Sequence, residues 1–224
     1  MRQVGRLLGA VLLLSLMVSL ESGCSFVFHK RSPTDVHKIE ELSTEVSRLN
    51  EELDELEAIK RDLERKLTGE IGRGEVGLSV GERGLVVTFV SEILFDSGKS
   101  QIRSEGSTIL SKISSILKES SRNRDIAVEG HTDNQPIKHS GWKSNWELST
   151  ARATSVVHFL IEQGLSPEVL QATGYGEYRS VASNDAPEGR QRNRRVEIVI
   201  LPKRGQAATK TNFTGKSRDT GTIK

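Results

Sequence analysis

"SNWELSTARATSVVHFLIEQG" (residues 144–164) decides how this chain is read. Steps of four from Leu148 pass through Arg152, Val156 and Leu160, a single ridge along one side of a helix. Three of those positions are aliphatic and turn toward a core, yet Arg152 stands among them. Arginine is almost never buried without a partner. Arg152 therefore either closes a structural ion pair onto the neighbouring elements or presents its guanidinium to a ligand. Ser144 and Glu147 supply a Ser-x-x-Glu capping box at the start of the helix, and Gly164 is placed to stop it.

Outward from that helix the pattern reads strand, helix, strand, helix, strand, strand. "GLVVTFVSEILF" (84–95) alternates Leu85, Val87 and Phe89 against Val86, Thr88 and Val90, the period of a strand. "SEGSTILSKISSILKES" (104–120) sets Ile109, Ile113, Ile116 and Leu117 on one helical face. "DIAVEGHTD" (125–133) is a short strand running into a polar loop, and "VLQATGYGEY" (169–178) and "RRVEIVIL" (194–201) read as the last strands. The expected fold is α+β, an α/β sandwich with helices on one face of a mixed sheet, over residues 84–202.

The N-terminus reads as an export signal over residues 1–24. Arg2 and Arg6 precede an apolar run from 7 to 20 that is short for a membrane span, and small residues lead to Cys24. Ser22 and Gly23 suit a lipid-acceptor cysteine, whereas Glu21 stands where a lipoprotein signal carries Leu. Cys24 is the only cysteine, which excludes an intrachain disulfide and any zinc site built on several thiolates.

After a linker (25–35), residues 36–68 carry a heptad beat. Leu42, Leu49, Leu56 and Leu63 fall at d, and Ile39, Val46, Leu53, Lys60 and Leu67 at a. That spacing predicts a coiled-coil stalk and, with β-branched residues at two a positions and Leu at d, a parallel homodimer, with a trimer as the alternative assembly; a solvated helix packed on the globular domain is the other reading. Residues 69–83, with Gly69, Gly72, Gly74 and Gly77, read as a glycine-rich linker, and 203–224 as a disordered basic tail. A net charge of +2 is too small to imply a nucleic-acid partner. The cluster Arg190, Arg192, Arg194 and Arg195 would suit phosphate in isolation, but an exported chain does not meet nucleic acid.

Four ordered segments carry a family resemblance: "GHTDNQPI" (130–137), the helix at 144–164, "GYGEYRSVASND" (174–185) and "EGRQRNRRVEIVI" (188–200). Together they resemble the OmpA-like C-terminal (OmpA/MotB) peptidoglycan-binding domain, and "SNWELS" and "GYGEYR" resemble its flagellar-stator version. The resemblance implies non-covalent binding of peptidoglycan through the diaminopimelate of the stem peptide, with no catalysis, cofactor or metal. It places the ligand's amine on Asp133 and its carboxylate on Arg152. "LFDSG" (94–98) would line the site through Phe95 and Asp96, with Thr132, Asn145, Leu148 and Arg194 as further contacts. Trp142 and Trp146 could stack on glycan rings or pack the loop on its own helix.

Taken with the signal, these features predict a periplasmic domain in the bacterial cell envelope, anchored at the outer membrane and tied to the wall. A stator or energy-transducing component is the alternative, although residues 7–20 contain no aspartate to accept a proton. A wall-modifying enzyme using His131, Asp133 and His139 with a metal is a third, but no nucleophile, base and orienting group fall together.

Overall fold

The computed structural model describes residues 33–120, 124–138 and 140–203. The expected signal, Cys24 and nearly all of the basic tail lie outside them. Backbone proximity divides the chain into residues 1–46 and 47–224. In the first unit the described residues belong to helix α1 (Pro33–Lys66), which continues into the second. Among the described residues no helix is long and apolar enough to cross a membrane.

The second unit is built on a five-stranded mixed sheet in the order β1-β2-β5-β3-β4. Its strands are β1 (Val76–Gly81), β2 (Gly84–Val90), β3 (Ile126–His131), β4 (Leu170–Gly174) and β5 (Arg195–Ile200). Only β3 and β4 pair in parallel, and helix α5 (Asn145–Glu162) supplies the crossover that a parallel pair requires. Helices α2 (Thr68–Gly72), α3 (Ser91–Leu94), α4 (Ser104–Ser120) and α6 (Pro187–Asn193), with a 3-10 turn at Pro167–Val169 before β4, complete the element order.

Strand alternation sorts the side chains. Leu85, Val87 and Phe89 of β2, Ile126 and Val128 of β3, and Val196, Ile198 and Ile200 of β5 enter the main core. There they meet Ile109, Leu110, Ile113, Ile116 and Leu117 of α4 and Ala153, Val156 and Leu160 of α5. The ridge through residue 152 is thus core-facing at Val156 and Leu160, as its period predicts.

Two segments differ from their sequence reading. The stretch expected to be a glycine-rich linker contains α2 and β1, an edge strand paired with all of β2 from Val76↔Phe89 to Gly81↔Gly84. Val76, Leu78 and Val80 alternate with small residues there, and the glycines between them hide a two-residue period that pairing with β2 satisfies. The segment expected to be one strand over 84–95 leaves the sheet after Val90, where pairing with β5 ends at Val90↔Arg195. One helical turn, α3, follows before Phe95 bridges Ile102.

Helix α1 divides the heptad stripe in two. Val36, Ile39, Leu42, Val46, Leu49 and Leu53 are 45–56% exposed. Leu56, Ile59 and Leu63, followed by Leu67, are buried in the main core instead. Ile59 lies at heptad position g, so the buried stripe drifts off the a/d seam while Lys60, at a, turns aside to pair with Glu64 at 3.5 Å. Buried Arg124 fastens this half, binding Glu52, Glu55 at 2.7 Å and the Leu201 carbonyl. The helix-on-domain reading therefore describes the C-terminal part of α1.

The sheet's second face carries a small apolar cluster of Val86, Ala127 and Val199 beside a polar network. Glu129 and Glu197 are cross-strand partners, and Arg83 bonds both, at 2.7 and 2.6 Å. Burial would raise the Glu197 carboxyl, but hydrogen bonds from Arg83 and Arg195 outweigh it and hold the group below its ordinary value. His131 beside them is 2% exposed, stacks on Tyr175, and has no hydrogen-bond partner on either ring nitrogen. Burial first, and then Arg195, lower its pKa from 6.5 to about 4.

Two outcomes follow. Leu63→Ala removes a fully buried side chain from the α1 contact and should lower unfolding free energy by about 2–5 kcal/mol in urea. For His131, the unfolded chain takes up a proton near pH 6.5 and the folded chain only near pH 4. Stability therefore falls as pH drops through that window, by up to about 3 kcal/mol. A His131→Asn variant should lose that component of the slope between pH 7 and 4, measured against wild type so that the carboxylates cancel.

Candidate functional site

Helix α5 is seated on the sheet more closely than side chains would allow. A Cβ on Gly130 would lie 2.1 Å from the Ser149 carbonyl oxygen, and one on Gly174 2.2 Å from Thr150 Oγ1. The N-terminal turns of α5 therefore press on the ends of the parallel pair β3 and β4. Ser144 caps the helix by accepting from the Glu147 amide at 3.5 Å, while the Glu147 carboxylate accepts from the Lys143 amide, one residue before the position a capping box predicts. Asn145 ties the loop after β3 to the segment after β4, donating to the carbonyls of Asp133 and Gln135 and to Glu177.

These contacts shape a cleft of about 770 Å³ lined by Phe95, Thr132, Asp133, Asn145, Leu148, Arg152 and Arg194, seven of the residues singled out in the sequence. Asp96 is the exception. Its carboxylate faces Lys99 and Arg103 at 3.3 and 3.7 Å, and it serves the site through its backbone carbonyl. Trp142 donates to the Gly98 carbonyl at 2.8 Å, so it packs the loop onto the cleft's rim, while Trp146 is half-exposed and stacks on Tyr178.

Arg152 is 4% exposed. It donates from Nε to the Lys99 carbonyl at 2.9 Å, from Nη1 to Ser91 Oγ and from Nη2 to the Asp96 carbonyl, both at 3.3 Å. Its guanidinium carbon lies 5.2 Å from the centroid of the Phe95 ring. None of the accepting groups is a carboxylate. Burial accordingly pulls its pKa down from 12.5 to about 10, with Glu92 and Asp133 opposing and Arg194 assisting. Of five N–H donors, one on each Nη remains uncommitted, a pair that suits the two oxygens of a carboxylate.

Across the cleft Asp133 is already engaged. Its Oδ1 accepts from the Gln135 amide at 3.1 Å, which shapes the turn, and its Oδ2 accepts from Arg194 Nη1 at 2.8 Å. Arg194 in turn holds Glu92 Oε1 through Nε at 2.7 Å and Nη2 at 2.5 Å. Desolvation lowers the Arg194 pKa, but the hydrogen bonds it donates to Asp133 and Glu92 win and raise it. Sequence reasoning missed Glu92 and Ser91. Both sit in the turn α3 that was read as strand, and strand alternation gives no reason to aim them at residue 152.

Glu129, His131 and Glu197 on the far face bring one ligand atom each within 4.8 Å of one another. Arg83 and Arg195 already neutralise both carboxylates, so a divalent cation would have to displace an ion pair to enter.

Residues 94–194 match the OmpA family. Motility protein B of Bacillus subtilis is 43% identical over 70% of this chain, which spans 59% of that protein. Uncharacterized protein YtxE of Bacillus subtilis is 32% identical over 74% of this chain and 68% of its own length. The structure of the cell wall anchor of the T6SS from Pseudomonas aeruginosa superposes with a TM-score of 0.58 at 34% identity, over 63% of this chain and 97% of that one. The seated helix α5, with Arg152, and Asp133 fall inside the matched residues, and the chain belongs to the OmpA family.

Proposed function

We propose that the chain binds peptidoglycan without cleaving it, gripping the diaminopimelate of a stem peptide, and so tethers an envelope membrane to the cell wall. The observation that carries this is Arg152, a buried guanidinium whose protein partners are all neutral and whose two spare N–H groups belong to a cleft. A buried charge left this way is costly unless a ligand completes it. Asp133 and Glu92 bring negative charge to the cleft beside Arg152 and Arg194, and Lys138 and Lys99, the latter paired with Asp96, also line it. A zwitterion can place its carboxylate on Arg152 and its ammonium on the Asp133 side, whereas a simple anion or cation uses only one of those ends.

Kinship with a cell wall anchor supports the wall as the partner. The export signal and Cys24 supply the membrane end in this reading, at the outer membrane of the cell envelope. The exposed stripe from Val36 to Leu53 supplies a seam for a second copy of the chain, as its heptad spacing suggests. The likeness to motility protein B favours a second reading, a stator-like component of a motor or energy-transducing complex. Incorporation of labelled fatty acid at Cys24 separates the two, since it belongs to the lipid-anchored tether.

Co-sedimentation with purified peptidoglycan tests the binding itself. Asp133→Ala and Arg152→Ala should each cut the bound fraction at least about tenfold, because each leaves one charge of the ligand without its partner. Binding equal to wild type in both variants contradicts the site, and soluble fragments released from the wall would point to an enzyme.

A further inference from the structure

Both tryptophans of the chain, Trp142 and Trp146, line one shallow groove of about 410 Å³, together with Glu147, Thr150 and Ala151. Residues 147, 150 and 151 share a face of α5 and form its floor. Trp146 stays 47% exposed, and Tyr178, 69% exposed, stacks on it with ring centroids 5.3 Å apart. Trp142 is pinned by its bond to the Gly98 carbonyl at 2.8 Å, and Gly98 also lines the Arg152 cleft. Asn145 lines that cleft too, one residue before Trp146, so groove and cleft adjoin. Glu147 gives Oε2 to the Lys143 amide and keeps Oε1 free of protein partners among the described residues. Exposed aromatic surface beside a binding cleft marks an interaction site more often than a packing accident.

Resting on the reading above, we infer that this groove seats an N-acetylhexosamine ring of the wall's glycan strand while a stem peptide of the same strand occupies the cleft. A pyranose presents C–H groups on its flat faces and hydroxyls around its edge. The C–H face suits the electron-rich face of an indole, and the edge suits a carboxylate oxygen with acceptor capacity. Trp146, backed by Tyr178, supplies the first and Glu147 Oε1 the second. The charge of Glu147 also disfavours a carboxylate of the peptide or an anionic polymer in the groove. The sugar that bears the stem peptide meets no such penalty, because its carboxyl is consumed in the amide bond to that peptide. Only two residues separate this amide from the diaminopimelate, so the sugar and the diaminopimelate of one strand reach adjoining sites rather than distant ones.

Isothermal titration calorimetry of the full chain with two soluble ligands tests this. One is a tripeptide ending in diaminopimelate, and the other is the same tripeptide carrying the N-acetylglucosaminyl-N-acetylmuramyl disaccharide. Wild type should bind the disaccharide-peptide about tenfold or more tighter than the bare peptide. Trp146→Ala should erase that advantage and leave the bare peptide at its wild-type affinity, which also shows that the variant is folded. Equal wild-type affinity for the two ligands overturns the inference. So does a sugar advantage that survives Trp146→Ala. If Trp146→Ala weakens both ligands equally, Trp146 acts only by packing the loops around the cleft, and the inference is overturned again. Wild-type protein that binds neither ligand removes the peptidoglycan reading and this inference with it, a result distinct from the other three.

Discussion

The contact on which the rest depends is the backbone-to-backbone approach of α5 to the ends of β3 and β4. Gly130 and Gly174 make it possible, since a methyl group at either position would overlap the helix at Ser149 or Thr150. Depth matters here because Arg152 leaves the helix one turn further on, and its three hydrogen bonds reach back to Ser91, Asp96 and Lys99. Raising the helix by even the width of a side chain would take the guanidinium out of reach of those acceptors. Asp133 follows Gly130 by three residues, so the same glycine sets the separation between the two ends of the cleft.

Charge is handled differently on the two faces of the sheet. On the far face Glu129 and Glu197 are closed off by Arg83 and Arg195, and burial there leaves His131 neutral. That network is internally balanced, a structural use of buried ions. In the cleft, the Asp133–Arg194–Glu92 chain is balanced on one side only, and Arg152 is held by dipoles rather than by an opposite charge. Neutral acceptors orient a guanidinium without consuming its charge, which leaves the Coulomb attraction to be spent on a ligand.

Much of this was legible in the chain. The period-four ridge at 148–160 located both the helix and its anomaly, and ordered motifs named Asp133 and Arg152 as the ends of one site. What the pattern could not give was Arg194 reaching back across the site to Glu92, a contact between residues 102 positions apart. Periodicity also cannot say what covers an apolar stripe. Leu56 and Leu63 fit a dimer seam and a domain core equally well until Ile59, off the heptad, shows which way the helix has turned. Strand β1 was hidden for a related reason, because its alternate positions are glycine and serine and the composition of a linker masked a two-residue period.

The most direct measurement is a crystal structure of the chain with a diaminopimelate tripeptide bound. The account predicts the distal carboxylate within hydrogen-bond distance of Nη1 and Nη2 of Arg152, with the distal ammonium on Asp133 and the carbonyl contacts of Arg152 preserved. A peptide whose carboxylate sits on Arg194, or which leaves Arg152 with only its Ser91, Asp96 and Lys99 partners, would contradict it.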